Sequence, residues 1–91
     1  MSAPDEYVYT TRESYADAKR LCAMIDQQSG CRSYMPEPKG DTWLLMWETL
    51  EYTIHMTLDD LIWIAWPKEN RLAAITGWNA AELIETLKGM A

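Results

Sequence analysis

An alternation of apolar and polar residues between Glu48 and Leu58 constrains the fold of this chain most. Even positions are apolar and the odd positions between them are polar, in the order Leu50, Glu51, Tyr52, Thr53, Ile54, His55, Met56, Thr57, Leu58. Because strand side chains point alternately to opposite faces, the pattern predicts a strand with one buried face. Upstream, residues 43–47 are apolar at every position, and no Gly or Pro intervenes. One straight strand over both stretches would reach about 55 Å, so we expect a bend or break near Glu48-Thr49.

Further strands and turns follow from local composition. Segments rich in strand-forming residues predict strands at residues 6–10, 31–35, 61–66 and 71–76. Residues 36–41 have the composition of a turn, and Asp59-Asp60 suits a two-residue hairpin loop.

Two amphipathic helices flank the run of strands. We expect Thr11 to cap the first helix and Gly30 to end it. The second is expected to begin at the N-cap Asn79, with Glu82 three residues later, and to end at Gly89. The order β-α-β-β-β-β-α predicts an α+β fold, with an antiparallel sheet of four to five strands and both helices on one face. Residues 1–5 are expected to form a loose terminus and residues 6–91 a single domain.

Two helices cover only one face of such a sheet, and the other face is the predicted binding surface. If Ile54 and Met56 lie beneath the helices, a two-residue loop places Leu61, Trp63 and Ala65 beside them. The opposite face then receives Ile62, Ile64 and Trp66. If the pleat continues through the bend near Glu48, it also receives Trp43, Leu45 and Trp47. Three arrangements would cover this apolar face: the sheet curls on itself, two copies of the chain pack face to face, or another protein docks there. A register shifted by one residue, or a strongly curved sheet, would instead bury both faces.

Charge favours a basic protein as partner. The net charge of −6 argues against direct binding to nucleic acid or to anionic membranes. Between Gly40 and Lys68 there is no Lys or Arg, and there are five acidic residues: Asp41, Glu48, Glu51, Asp59 and Asp60. An acidic rim beside an aromatic patch would attract a basic surface, although solubility alone also explains an acidic surface. The longest apolar run is too short to cross a membrane, and the first residues lack an export pattern. The chain has only two cysteines, Cys22 and Cys31, whereas a small secreted domain usually has more. We therefore expect both to be free thiols of a cytoplasmic protein.

No motif in the sequence predicts catalysis, a metal site or a cofactor. His55 is the only histidine, and its place between Thr53 and Thr57 predicts an exposed imidazole with no chemical role. The chain has no CxxC or HxxxH pair and no phosphate-binding glycine loop. Tyr52, Trp63 and Trp78 would either line a cavity for a small ligand or belong to the core.

The sequence therefore predicts a small binding module, without enzyme activity, that inhibits or regulates a larger basic protein by occlusion. Trp43, Trp47 and Trp66 are expected to anchor the partner, and Glu48, Glu51, Asp59 and Asp60 to steer it or to mimic phosphate. Small, acidic, Trp-rich domains without motifs are typical of phage or mobile-element inhibitors of nucleic-acid machinery, including anti-CRISPR proteins. This step is an analogy of general character. The alternatives are an obligate homodimer whose function lies elsewhere, and a domain that binds a small ligand.

Overall fold

The computed structural model describes residues 14–90, which form one five-stranded antiparallel sheet and two helices. The elements are α1 (Tyr15–Ser29), β1 (Glu37–Lys39), β2 (Thr42–Glu48), β3 (Tyr52–Thr57), β4 (Ile62–Pro67), β5 (Ile75–Trp78) and α2 (Ala80–Met90). The strands lie in the order β1-β2-β3-β4-β5, and each pairs antiparallel with the next. The predicted α+β class and the position of both helices on one face are confirmed. The predictions for residues 1–10 lie outside the described residues, and the N-cap of the first helix is Ser14 rather than the predicted Thr11.

The core lies between one face of the sheet and the two helices. The sheet contributes alternate residues of its three central strands: Leu45, Trp47, Ile54, Met56, Trp63 and Ala65. The helices contribute the buried stripes of α1 and α2: Ala18, Cys22, Ile25, Leu83, Ile84 and Leu87. Fully burying one large aliphatic side chain contributes about 1.5–3 kcal/mol, so this layer supplies most of the force that holds the fold together.

Polar caps fix where the helices begin and end. Ser14 caps α1 through a reciprocal pair of hydrogen bonds with Asp17, and Gly30 ends this helix, as predicted, in the left-handed conformation (φ 78°). The predicted N-cap of α2 is confirmed, because the Asn79 side-chain oxygen accepts a hydrogen bond from the Glu82 N–H at 2.8 Å. The predicted end of α2 at Gly89 is wrong, since the helix continues to Met90.

The long apolar stretch breaks where the alternation predicted. β2 ends at Glu48, residues 49–51 form a turn, and β3 begins at Tyr52. The prediction that Leu50 lies on the buried face is wrong, because Leu50 lies in this turn and is exposed.

Four other predicted boundaries differ from the structure. A strand lies at Glu37–Lys39, within the predicted turn, because Pro38 is tolerated on an edge strand where its missing N–H leaves no gap in the sheet. The strand predicted at 31–35 is reduced to a single bridge between Ser33 and Trp47. The last strand is Ile75–Trp78 rather than residues 71–76, and the β3–β4 loop has four residues, 58–61.

Neither helix within residues 14–90 is both long enough and apolar enough to span a membrane.

Candidate functional site: the open face of the sheet

The face of the sheet that points away from α1 and α2 is called the open face here. It is formed by the residues that alternate with the core residues and pair with one another across the strands: Leu44, Met46, Thr53, His55, Thr57, Ile62, Ile64, Trp66, Thr76 and Trp78. Ile62 is 50% exposed and Trp78, its cross-strand partner, is 64% exposed. Thr76 is also exposed, and the other residues of the face are half-buried. Within residues 14–90 no helix packs on this face, as the sequence predicted for Ile62, Ile64 and Trp66.

The placement of Trp43, Leu45 and Trp47 on this face is wrong. These three residues lie on the helix side of the sheet, where Leu45 and Trp47 belong to the core. The prediction assumed that the pleat continues in one direction through the break at Glu48. The chain instead reverses in a hairpin that pairs Trp47 with Ile54. Because residues directly opposite each other in a sheet point to the same face, the odd residues of β2 join the even residues of β3.

Contacts on the helix side of the sheet fix the positions of Trp43 and Trp47. Trp47 is 1% exposed, and its Nε1–H donates a hydrogen bond of 2.8 Å to the Asp26 carboxylate on α1. Trp43 is half-buried, and its ring lies 5.2 Å from the ring of Tyr15. Trp47 therefore offers no surface to a partner in this conformation, and of the three predicted anchors only Trp66 lies on the open face.

An aromatic and cationic group lies toward the β4 side of the open face. The His55 ring meets the edge of Trp66 at 4.9 Å between centroids, with the ring planes at 79°. The Arg71 guanidinium, from the β4–β5 loop, lies over the Trp66 ring at 5.5 Å from its centroid. Such cation–π contacts contribute about 0.5–1 kcal/mol where water reaches them.

The same surroundings change the proton affinity of His55. Burial lowers the pKa of the imidazole below its usual value, the positive charges of Arg71 and Lys39 lower it further, and Glu37 opposes the shift. His55 is thus a neutral, half-buried ring at physiological pH, and the prediction of an exposed imidazole is wrong.

Next to this group the open face has a shallow depression of about 230 Å³. Lys39, Leu44 and Thr57 line it on the β1 side, and Ile64 and Trp66 line it on the β4 side. Apolar and polar side chains both line it, and protein interfaces likewise combine an apolar centre with polar surroundings.

Two acidic residues of the predicted site lie at opposite ends of the open face. The Asp60 carboxylate accepts hydrogen bonds from the Thr57 hydroxyl and from the Ile62 N–H, and these bonds lower its pKa. Glu48 bonds to the side chains of Lys68 and Tyr34, which lower the pKa of its carboxyl. Both groups are therefore carboxylates at neutral pH.

The other two predicted acidic residues lie in turns rather than on the face. Glu51 is in the β2–β3 turn and Asp59 is in the β3–β4 loop, so they lie at opposite ends of the sheet and both are exposed. The structure does not bring the four acids of the predicted site together as one cluster.

The predicted small-ligand cavity does not form. Trp63 is buried in the core, whereas Trp78 lies on the open face, so the sheet separates their side chains.

Sequence reasoning missed the two cations of the open face, Lys39 and Arg71. Each lies near Trp66 and His55 only because strands and loops distant in sequence meet in the sheet. No local sequence pattern predicts such contacts.

The two cysteines lie outside the open face, in or against the core. Both cysteines are free, and burial raises the pKa of the Cys22 thiol, which makes it a poor nucleophile. Within residues 14–90 no three metal-binding side chains come together. Comparison of the chain with protein-family models, with curated proteins and with solved structures found no match in any of the three.

Proposed function

We propose that the chain is a protein-binding module that docks a larger protein on its open face and regulates that protein by occlusion. The observation that carries the proposal is the sheet surface around Trp66, which neither of the described helices covers. A small protein rarely exposes a contiguous apolar surface without using it. Trp and Arg are the residues that most often anchor protein interfaces, and here Trp66 and Arg71 are stacked together.

The shape of the open face favours a macromolecule over a metabolite. Ligand pockets are usually concave and about 300–1,000 Å³ in volume, so that they enclose most of their ligand. The depression beside Trp66 has only about 230 Å³ and lies on a sheet surface. A protein surface can cover the whole face, including the exposed Ile62 and Trp78 at its far side.

Charge selects the kind of partner. The net charge of −6 attracts a basic protein over long range and repels nucleic acid and anionic lipid. Glu51 and Asp59, exposed in turns at the two ends of the sheet, would meet the basic rim of such a partner. We therefore propose a nucleic-acid-processing protein as the partner, inhibited as phage or mobile-element anti-defence proteins, anti-CRISPR proteins among them, inhibit theirs. Two free thiols support a cytoplasmic setting, where thiols stay reduced.

Site-specific photocrosslinking in cells that express the chain tests this proposal. A photoreactive amino acid replaces Ile62 on the open face in one variant. In the control variant it replaces Leu72, which is 97% exposed but lies in the β4–β5 loop outside the face. We expect the variant at position 62 to capture a larger basic protein that the control does not capture.

Binding of the purified partner then tests the anchor. Trp66→Ala should weaken binding by about 30-fold or more, as the loss of a central aromatic anchor costs about 2 kcal/mol or more. Leu50→Ala, at an exposed site in a turn, should change it less than twofold. Equal capture at positions 62 and 72, or unchanged affinity in Trp66→Ala, would show that the open face is not the docking surface.

A further inference from the structure

We propose that a second copy of this chain covers the open face in the free protein, in a face-to-face dimer that must separate before the partner can dock. This inference rests on the proposed function, because it describes how the same surface is protected and regulated. Three observations carry it: the alternating charges at the corners of the face, the size of the face, and its apolar centre.

The charges at the four corners of the open face alternate in sign. At the end of the sheet that contains the β1–β2 turn, Lys39 lies on the β1 side and Asp60 lies on the β4 side. At the other end, Glu48 lies on the β2 edge and Arg71 lies over β4. The four corner positions therefore alternate in sign. Glu37, which pairs with Leu44 across β1 and β2, adds a further anion on the β1 side between Lys39 and Glu48. Lys39, Asp60 and Arg71 form no salt bridge with another described residue, whereas Glu48 is paired with Lys68.

This arrangement is complementary to itself. In a face-to-face dimer the two-fold axis lies between the sheets and parallel to them. If the axis runs along the strands, Lys39 of each copy lies opposite Asp60 of the other, and Arg71 lies opposite Glu48. If the axis runs across the strands, Arg71 lies opposite Asp60 and Lys39 opposite Glu48. Opposite charges meet in both orientations, and the apolar centre around Ile64 and Trp66 is buried between sheets about 10 Å apart.

The size of the face predicts a weak dimer. Its five strands contain 26 residues, and at about 16 Å² per residue, from ordinary strand spacing and rise, they cover about 400 Å² per copy. Both copies together bury about 800 Å², below the range of stable specific complexes and in that of weak, transient ones. The net charge of −6 on each copy also opposes association. A dissociation constant in the micromolar range follows, and a tighter partner can displace a cover of that strength.

Sedimentation equilibrium of the full chain tests the dimer. Lys39 lies on the exposed edge strand β1, so Lys39→Glu should leave the fold intact, and circular dichroism checks that the variant is folded. The wild type should dimerise with a micromolar dissociation constant, and Lys39→Glu should weaken dimerisation at least tenfold. The matched control is Lys88→Glu, an equal change of charge on α2 on the opposite side of the sheet, which should change it less than threefold.

A charge swap then identifies the orientation. If the axis runs along the strands, Lys39→Glu combined with Asp60→Lys should restore dimerisation to within threefold of the wild type. If it runs across them, Arg71→Glu combined with Asp60→Lys should do so. Because Asp60 also holds the β3–β4 loop, Lys39→Glu alone decides whether the face associates.

Three outcomes would overturn the inference: a wild type that stays monomeric at 200 μM, a dimer indifferent to Lys39→Glu, or a partner complex in which the dimer persists intact. Each leaves the proposed function standing if the photocrosslinked partner still binds through Trp66. Conversely, a dimer with the predicted charge dependence and no captured partner would support the inference and contradict the proposed function.

Discussion

Replacing Asp26 with alanine should destabilise the fold more than any other change of an acidic residue in the described chain. One oxygen of its carboxylate accepts the bond of 2.8 Å from Trp47 Nε1–H. The other accepts from the Ser33 N–H at 3.1 Å and from the Ser33 hydroxyl at 2.9 Å. Asp26 thereby joins α1 to the central strand β2 and to the segment that leads into β1.

The magnitude follows from these bonds. A hydrogen bond to a charged group contributes about 1.5–3 kcal/mol, and an indole N–H left buried without a partner costs about 1–3 kcal/mol. Three bonds that share one carboxylate are not additive, so we expect Asp26→Ala to cost about 3–4 kcal/mol. A domain of this size has about 5–10 kcal/mol in total, so the variant would retain roughly half of its stability.

Urea unfolding measures the effect. With an m value of about 1 kcal/mol/M, the midpoint should fall by about 3 M. The control is Asp59→Ala, at an exposed loop site, which should change stability by less than about 0.5 kcal/mol. Asp26→Asn keeps an acceptor for Trp47 but turns an amide toward the Ser33 N–H, and it should cost about 2 kcal/mol.

A double-mutant cycle isolates the bond between the two side chains. Trp47→Phe removes the indole N–H, so Asp26→Ala should cost at least about 1 kcal/mol less in that background than in the wild type. If Asp26→Ala costs less than about 1 kcal/mol in the wild type, or the same in both backgrounds, the carboxylate does not hold β2 to α1 as we argue.

Three smaller predictions concern other positions. Gly77→Ala should destabilise the fold by about 2 kcal/mol or more, because the added Cβ would overlap the Trp63 ring. Gly89→Ala, with open space around the added Cβ, should stabilise α2 by about 0.5–1 kcal/mol. Urea unfolding of both variants checks these values. The pKa of His55 is lowered in the folded state, so the contribution of the neutral ring to stability is fully present above about pH 6.5 and is lost as the pH falls through the lowered pKa. Between pH 7.5 and 5.5 the wild type should therefore lose more stability than His55→Gln. An equal loss in the two proteins would contradict the lowered pKa. Asn79→Ala should cost about 1–2 kcal/mol in thermal unfolding, through the lost cap and the strain of an alanine at φ 69°, and a cost under about 0.3 kcal/mol would contradict this.

The sequence predicted the parts of the fold that depend on local pattern. Alternation identified the buried face of β3, and polar capping residues located the start of α2. Boundaries failed where tertiary contacts outweigh composition. Pro38 lies in a strand because an edge position tolerates it. Gly89 continues a helix because nothing in its surroundings requires a left-handed residue there.

The misplacement of Trp43, Leu45 and Trp47 has a single physical reason, the direction of one turn. A chain that bends at Glu48 keeps its pleat, whereas a chain that reverses brings Trp47 opposite Ile54 and moves these three residues to the helix side of the sheet. Local sequence does not distinguish a bend from a hairpin when the turn lacks Gly and Pro. The placement of Ile62 and Trp66 survived because the four-residue β3–β4 loop, like the predicted two-residue loop, leaves Trp63 and Ala65 on the same face as Ile54 and Met56.

The most direct test of the central claim is the exposure of the five indole N–H groups, measured by NMR with a soluble paramagnetic probe. In dilute, monomeric protein the signals of Trp66 and Trp78 should broaden, while those of the buried Trp47 and Trp63 should not. When the captured partner is added, the Trp66 signal should sharpen again as the open face is covered. A Trp66 signal that is protected in the monomer, or that stays broadened in the complex, would contradict the claim that this face is uncovered in the monomer and is the surface on which another protein docks.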